Sequence, residues 1–536
     1  MSDKLRKLNI WQISREYAGI AEAGGVKNVV CSLSEQLIED DHEVTLFIPL
    51  YGCTNLASIK DFDIVSDYTS YITVAGTEYK VSYGRAYCDK LKVIFIISSH
   101  FIEKMNIYTY TELEERITPS HIRGQGHVDA PLLETLFQKA VLDYAVHFSE
   151  FPDIIHCHDA TTALIPVFAS ELPQYEEIAG NSRFVVTIHN AGPAYHHEFP
   201  SLKEALNYTD LPAKVLEKGR RGNFIEPYLL AGFYSCLTTV SPWYADELMD
   251  PEDANTDGLS KLFFNKKIKI TGITNGIDYE KYNPENTALS MLPFPFSPEK
   301  HIFTGKYKSR EIFMDYYSRN DHGTRLKKSI RSISSGVDQF GFIDAKPDCV
   351  YFSYHGRVVH QKGIDILADA IPKTLMECPY ARFIITGQGA QELENKQIAL
   401  TEQFSGKVLF LRGYEKTLAR LCVAAADFIV LPSFFEPCGL EDFIASIFGT
   451  IPIAHDTGGL KKIKNGETGF LFSPNNSKTL SELIVSLAQK KHEDSSAFDE
   501  MMSAAAQYVH NIYSWKQVVQ NEYIPLYDSL VEPTEK

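Results

Sequence analysis

The densest chemistry in the chain lies in FFEPCGLEDF, Phe434 to Phe443, followed by TGGL at Thr457 to Leu460. Each comes just after a short apolar run, FIVLPS and IPIAHD, which places it where a strand of an open sheet ends. A carboxylate, Glu436, beside turns whose N–H groups face outward suits a site that grips a sugar by its hydroxyls and a diphosphate through backbone amides. These residues point to chemistry on a nucleotide sugar. Cys438 reads as a small packed residue, because no base is placed by sequence to activate its thiol.

Five further places follow apolar runs in the same way. HGRVVHQKG carries Arg357 and Lys362, two cations able to clamp a diphosphate and neutralise the charge that builds on a departing phosphate. Taken alone, they make a solvated basic turn. AEAGGVKNVV places Gly24 and Gly25 at the opening of a helix, offering bare amides and a positive dipole end to a phosphate; the plain alternative is an ordinary glycine turn. IIHCHDA puts His156 and His158 on one side of a strand with Asp159 at its end, and TIHNAGPAYHHEF ends a strand in His189 and Asn190. A neutral His189 suits a sugar hydroxyl, whereas a capping His–Asn pair is equally compatible with these residues. The histidines also admit a metallohydrolase that enlists His156, His158, His189, His196, His197 and Asp246, a reading that lacks HExxH or paired-Cys support. LRGYEK leaves Tyr414 past a strand, where it either stacks on a base or packs. The lone GQG at Gly387 to Gly389 is too short to imply a dinucleotide.

The elements that must position these residues alternate apolar runs with amphipathic stretches. The first series is LNIWQIS, a helix from Gly24 to about Asp41, EVTLFIPLY, PDIIHCHD, RFVVTIHN and CLTTVSP; the second is CVYFSYHGR, a helix from Gly363 that Pro372 interrupts, ARFIITGQG, VLFLRGY, FIVLPS, IPIAHD and GFLF. This is the βα rhythm of parallel, doubly wound sheets, and it predicts an α/β fold of two Rossmann-like domains. A polar segment carrying PENT, PFPFSPEK and SISSG sets the expected boundaries at 1–282, a linker 283–347, 348–512 and a C-terminal helix 513–536. At 536 residues with 44% hydrophobic and 23% charged residues, each half can bury its own core. The formal charge of −17 argues against nucleic acid as a partner. Nine cysteines without CxxC spacing, and an N-terminal stretch with no apolar run, predict a cytoplasmic protein with no membrane association.

Taken in order, AGGVKNVV, HCHD, TIHN, TTVSPWYADEL, TNGIDYEKYNP, GRVVHQKGIDIL, FEPCGLEDF, TGGL and ETGFLF resemble the bacterial glycogen synthase and plant starch synthase family of retaining glucosyltransferases, from about Ile10 to Tyr527. The resemblance implies the GT-B architecture, two Rossmann-like domains facing a cleft with a C-terminal helix returning to the N-terminal domain. It implies that Arg357 and Lys362 hold the donor diphosphate, that Glu436 holds the glucose near its anomeric carbon, and that His189 faces the glucosyl group. Tyr414 is expected against the base, and Asn275 at the cleft. Gly24, Gly25, Cys438, Gly439, Leu440, Thr457, Gly458 and Gly459 are expected in donor-binding turns, with His158 and Asp159 on the acceptor side. The implied reaction moves glucose from ADP-glucose or UDP-glucose to the non-reducing end of an α-1,4-glucan, with no metal or organic cofactor.

The chain departs from the family pattern where charge matters. Glu22 stands at the usual Lys before the glycine pair, Ala160 at the aromatic of HxHDW, Leu230 at a usual Lys, and Glu441 and Asp442 at the usual Thr-Gln. A carboxylate ~4 Å from a phosphate opposes binding by about 1 to 4 kcal/mol, which makes Lys27 and Arg15 the residues to watch for compensation. These changes keep two rivals open: a related glycosyltransferase with another donor or acceptor, and a silent glucan-binding homologue. The segment from Tyr316 to Ala345 also leaves the pattern, with no role assigned.

Overall fold

The computed structural model describes residues 6–318, 336–344, 346 and 348–532. Two compact α/β units make up the chain, one of residues 1–275 with 515–536 and one of residues 276–514. The first holds strands β1 (Asn9–Ile13), β2 (Glu43–Pro49), β3 (Ile59–Ile64), β4 (Ser70–Val74), β5 (Thr77–Cys88), β6 (Leu91–Ile97), β7 (Ile154–His158), β8 (Arg183–Ile188), β9 (Arg220–Arg221), β10 (Phe224–Ile225), β11 (Cys236–Thr239) and β12 (Ile270–Gly272). Its main sheet runs β12-β11-β8-β7-β1-β2-β6-β5-β3, with β4 on β5. Pairing is parallel from β12 to β6 and antiparallel at β5. β1 is buried from Ile10 to Ile13, and Trp11 packs on Phe47 with ring centroids 4.4 Å apart. Chain order reverses between β1 and β7, the switch point where ligands collect in such sheets.

The second unit holds β13 (Val337–Gly341), β14 (Val350–His355), β15 (Ala381–Gly387), β16 (Val408–Gly413), β17 (Phe428–Leu431), β18 (Ile451–His455) and β19 (Phe470–Phe472), in the order β13-β16-β15-β14-β17-β18-β19. All neighbours are parallel except β13 with β16. Here the switch point lies between β14 and β17.

The boundaries differ from the expected ones for a packing reason. The segment expected as a linker from residue 283 joins the second unit, because its helix Thr304–Tyr317 buries Phe313, Met314 and Tyr317 in that unit's core beside Leu418 and Cys422. Lys306 on the same helix is fully buried; its Nζ donates to the carbonyls of Ala424, Ala426 and Phe448 and to Thr450 Oγ1, at 2.8, 2.8, 3.2 and 2.8 Å. Of the segment from Tyr316 to Ala345, residues 319–335 and 345 lie outside the described residues.

Two local expectations are also corrected. The helix after Lys362 runs through Pro372 over Ile364–Glu377, because Leu367, Ala368, Ile371 and Leu375 pack with the helix Ser477–Glu493 in one core. The first long helix begins at Val26 with Gly25 as its N-cap, two residues later than expected. At the C-terminus, Trp515–Val531 folds onto the first unit through a π-helical turn at Val519–Tyr523. Tyr527 there pairs with the His156 ring, OH to Nδ1 at 2.8 Å.

Candidate active site

In the first unit, the ends of β1, β7 and β8 bring three imidazoles together, two of them joined by a hydrogen bond. His158 Nδ1 lies 3.0 Å from His189 Nε2, and His158 Nε2 lies 2.7 Å from Gln12 Oε1. Because Gln12 Oε1 only accepts, His158 carries its proton on Nε2 and its Nδ1 accepts from His189 Nε2–H. That leaves the lone pair of His189 on Nδ1. His156 is tied to Thr187 Oγ1 at 2.6 Å and to Tyr527. Burial lowers all three rings, His156 to about 3, so they are neutral imidazoles. His156 and His158 do share a side, but their nitrogens are spent on Thr187, Tyr527, Gln12 and His189 rather than converging on a metal.

Asp159 holds the backbone here. At φ +64°, its Oδ1 accepts from the His189 amide at 2.9 Å and from Tyr228 OH at 3.0 Å, while Tyr228 OH also reaches Asn190 O at 3.3 Å. The Gly24 amide donates to Glu16 Oε2, which also takes the Ala23 amide at 3.1 Å, and Tyr108 OH holds Glu16 Oε1 at 2.8 Å. A side chain of the protein thus occupies the amide that the sequence offered to a phosphate. Glu22 pairs with Lys27 at 2.8 Å and accepts from the Gly19 amide at 2.6 Å. Arg15 is buried and committed to Tyr51 OH, Ile107 O and Glu134 at 2.9, 2.6 and 3.1 Å, and His197 joins Glu134 at 2.8 Å. Of the two cations named as compensation, Lys27 is the one that pairs with Glu22, whereas Arg15 pairs with Glu134. Asn275 is buried after β12, its side-chain oxygen without a partner among the described residues.

In the second unit, the loops after β14, β17 and β18 are locked together. Lys362 Nζ donates to Glu436 Oε2, and Ser433 Oγ donates to the same oxygen at 3.1 Å. The Gly459 amide donates to Glu436 O at 2.8 Å, and Thr457 Oγ1 reaches Phe434 O at 3.3 Å. Gly363 has φ +64°, and a Cβ there would stand 1.8 Å from Pro432 O, so only glycine lets the Lys362 loop lie against the Glu436 loop. Arg357 is exposed, with Nη2 on Gln361 Oε1 at 3.1 Å. Cys438, Gly439 and Gly459 turn their carbonyls onto Lys462 Nζ at 2.5, 2.9 and 3.1 Å, with Asp442 Oδ1 at 3.1 Å from the same nitrogen. Burial pushes Asp442 up to about 6 despite that lysine. Leu440 N-caps the helix Glu441–Ile447, and Gly458 opens the short turn Gly458–Lys462.

Beside this cluster His355, the last residue of β14, binds Glu441 Oε2 through Nδ1 at 2.8 Å. Burial works against charge on His355, but the charge and hydrogen bond of Glu441 outweigh it and hold the ring above its usual value. Tyr414 is 64% exposed and lies over His355, centroids 6.2 Å apart, leaving one face to solvent. The GQG glycines serve packing: a Cβ on Gly387 would stand 1.9 Å from Gly356 O, and one on Gly389 2.2 Å from Val358 O.

The structure therefore gathers Arg357, Lys362, Glu436, Cys438 to Leu440 and Thr457 to Gly459 at one switch point, and His158, Asp159 and His189 at the other. Comparison with known proteins settles the family. Residues 9–263 match the model of the starch synthase catalytic domain, and residues 349–490 match that of glycosyl transferases group 1. A glycogen synthase of Thermodesulfovibrio yellowstonii is 30% identical over 98% of this chain and 98% of its own. The chain belongs to the glycogen and starch synthase family. Another glycogen synthase, from Flavobacterium johnsoniae, is 28% identical over 98% of this chain and all of its own. The catalytic domain of starch synthase IV from Arabidopsis thaliana, solved with ADP and acarbose, superposes with a TM-score of 0.76 at 25% identity, covering 98% of this chain and 100% of that one. The architecture is accordingly GT-B, and family membership places the chain among retaining glycosyltransferases that use a nucleotide-sugar donor.

Most residues that the sequence reading missed have partners distant in the chain: Gln12 meets His158 across 146 positions, Tyr108 meets Glu16 across 92, His355 meets Glu441 across 86 and Tyr228 meets Asp159 across 69, whereas Glu16 stands only eight residues before Gly24. The one local signal for these distant pairs was Gln12, an amide set between Trp11 and Ile13 in a buried strand.

Proposed function

We propose that the protein elongates an α-1,4-glucan by transferring glucose from ADP-glucose or UDP-glucose to the 4-hydroxyl at the non-reducing end, with retention. The observation that carries this reading is the Lys362–Glu436 pair, held by Ser433 and the Gly459 amide, with Arg357 five residues before Lys362. Without donor, Lys362 and Glu436 neutralise each other. A diphosphate draws Lys362 and Arg357 to its oxygens, and Glu436 turns to the glucosyl hydroxyls. The bond from the anomeric carbon to the phosphate oxygen breaks with its electron pair leaving on the phosphate. The acceptor oxygen attacks from the same face and loses its proton to that phosphate oxygen. Such a transfer uses neither a metal ion nor a protein base. The neutral His189, with its Nδ1 lone pair, accepts from a sugar hydroxyl. Tyr414 offers an open ring face to the base, and its sequence-tolerant stacking is compatible with either nucleotide.

Support for ADP-glucose comes from the relative solved with ADP, and support for a glucan acceptor comes from the relatives named glycogen synthase. A different donor is the second reading, favoured by Glu441, a carboxylate beside the cations that the diphosphate requires. Incorporation of labelled glucose into glycogen from ADP-glucose and from UDP-glucose, with wild type and Lys362→Ala, tests both. Transfer that disappears in Lys362→Ala supports the synthase reading and names the donor. A folded wild type inactive with either donor shifts the assignment to another sugar nucleotide.

A further inference from the structure

Two groups of three metal-ligating side chains occur among the described residues, and they differ in one decisive respect. In the first, His100, Glu103 and Asp129, an ammonium group already stands in the middle: Lys104 Nζ is 2.9 Å from Glu103 and 2.8 Å from Asp129. The second, His196, Glu198 and Glu226, has no such cation between His196 and Glu226. His196 is 1% exposed and Glu226 is 0% exposed. His196 Nδ1 and Glu226 Oε2 lie 3.3 Å apart, yet each is buried without a hydrogen-bond partner among the described residues. Glu226 Oε1 accepts the Tyr228 amide at 3.2 Å, so Oε2 is the oxygen that remains.

The tautomer of His196 sharpens the picture. Its Nε2 lies 2.9 Å from Ala191 O and must donate to that carbonyl, which leaves a bare lone pair on Nδ1 aimed at a carboxylate oxygen. A backbone carbonyl on the far nitrogen is the usual support of a metal-bound imidazole. Two ligand atoms of a tetrahedral ion bonded at about 2.0–2.2 Å stand roughly 3.3–3.5 Å apart, the separation seen here. Glu198 completes the group, with a ligand atom within 4.8 Å of the other two, while Arg221 holds its Oε2 through Nε at 3.0 Å and through Nη2.

We propose that His196, Glu198 and Glu226 bind one divalent transition-metal ion of the zinc type, with water as the fourth ligand. One imidazole and two carboxylates suit such an ion and balance its charge. Its role is positional. The loop that carries His196 and Glu198 starts directly after His189 and Asn190, and Glu226 caps the turn that carries Tyr228, the residue that touches Asp159 and Asn190 O. An ion joining His196 to Glu226 fastens both sides of the frame around His189.

The site is tested by binding, independently of any transfer assay. Tag-free full-length protein is stripped with a chelator and titrated with Co²⁺, followed by its visible absorption, and with Zn²⁺ by calorimetry. The expected result is one equivalent per chain, with affinity lowered about ten-fold or more in Glu226→Gln and in Glu198→Gln, and unchanged in Glu103→Gln. Glu198 is partly exposed, so its variant stays informative even where Glu226→Gln fails to fold. Absence of saturable uptake by the wild type overturns the proposal and leaves a proton shared between Glu226 and His196. Uptake that neither Glu198→Gln nor a folded Glu226→Gln weakens also overturns it.

Discussion

In the first unit the histidines at the ends of β7 and β8 are buried and neutral, joined by hydrogen bonds to Gln12 and Thr187. In the second, the matching strand ends carry ion pairs: Lys362 with Glu436, His355 with Glu441, and Lys462 with Asp442. The contrast fits a division of labour in which one half orients hydroxyls and the other handles the charge of a diphosphate. Charge-assisted bonds are stronger and depend on ionisation, whereas a neutral chain depends on shape and tautomer. The two halves should therefore fail differently.

The largest effect is expected from removing charge while keeping shape in the second unit. Glu436→Gln should lower turnover about 10²–10³-fold with the fold retained, because the amide cannot balance Lys362 or stabilise positive character at the sugar. The counterpart in the first unit, His158→Gln, keeps a hydrogen-bonding side chain between Gln12 and His189. It should cost about ten-fold, the scale of one neutral hydrogen bond. Initial rates for the two purified variants check the pair. Equal losses would erase the distinction between a charge-handling half and a hydroxyl-orienting half.

That distinction was only half legible in the sequence. Strands were legible because apolar runs ending in Gly, Asn or Asp mark βα units, and Arg357, Lys362, Glu436 and Thr457 to Gly459 were legible because they sit just past such runs. The pairing of charges was not. Glu22, Glu441 and Asp442 looked like liabilities beside a phosphate, yet each carries its own cation: Lys27, His355 and Lys462. Lys27 lies only five residues after Glu22, in the first turn of the helix Val26–Glu39, and was legible from the sequence. His355 and Lys462 meet their partners only because parallel strands bring loops 86 and 20 residues apart side by side, and no local pattern encodes that. The polar segment read as a linker from PENT, PFPFSPEK and SISSG hides the opposite case, Lys306, whose side-chain nitrogen donates to three carbonyls inside a core.

A smaller effect is expected from pH, and its sign follows from the His355–Glu441 pair. His355 is held above its ordinary 6.5, so its contribution is whole below 6.5 and is lost as pH rises through the folded value. Glu441 is held below its ordinary 4.5: burial opposes the charge, and His355, with Lys362 beyond it, outweighs burial. Its contribution is whole above 4.5 and is lost as pH falls through the folded value. The pair thus stabilises the second unit most between 4.5 and 6.5 and weakens on either side. Above that window Glu441 stands uncompensated by His355 close to Lys362, so on the proposed function the KM for the donor should rise. Thermal midpoints and donor KM measured from pH 6 to 8.5 should show the decline in the wild type and a flatter profile in Glu441→Gln. Parallel profiles would assign the trend to other groups.

The smallest effect is expected at Glu22, where the sequence alone suggested the greatest harm. Glu22→Lys restores the residue usual in the family, and an unpaired carboxylate at that place would make the change strongly favourable to donor binding. Glu22 is instead about half exposed, paired with Lys27, and accepting from the Gly19 amide. Its field is therefore largely cancelled before it reaches a ligand. The substitution exchanges an exposed ion pair, worth about 0.2–1 kcal/mol, for two neighbouring ammonium groups that repel by a similar amount. Donor affinity should change by no more than about five-fold. Calorimetric titration of the nucleoside diphosphate into wild type, Glu22→Lys and Lys27→Ala separates the cases. If compensation is the mechanism, Lys27→Ala weakens binding more than Glu22→Lys strengthens it, because only the first leaves a lone carboxylate beside the glycine turn. A gain of a hundred-fold in Glu22→Lys would instead show that the carboxylate acts on the diphosphate uncompensated, and that the first unit handles charge as well.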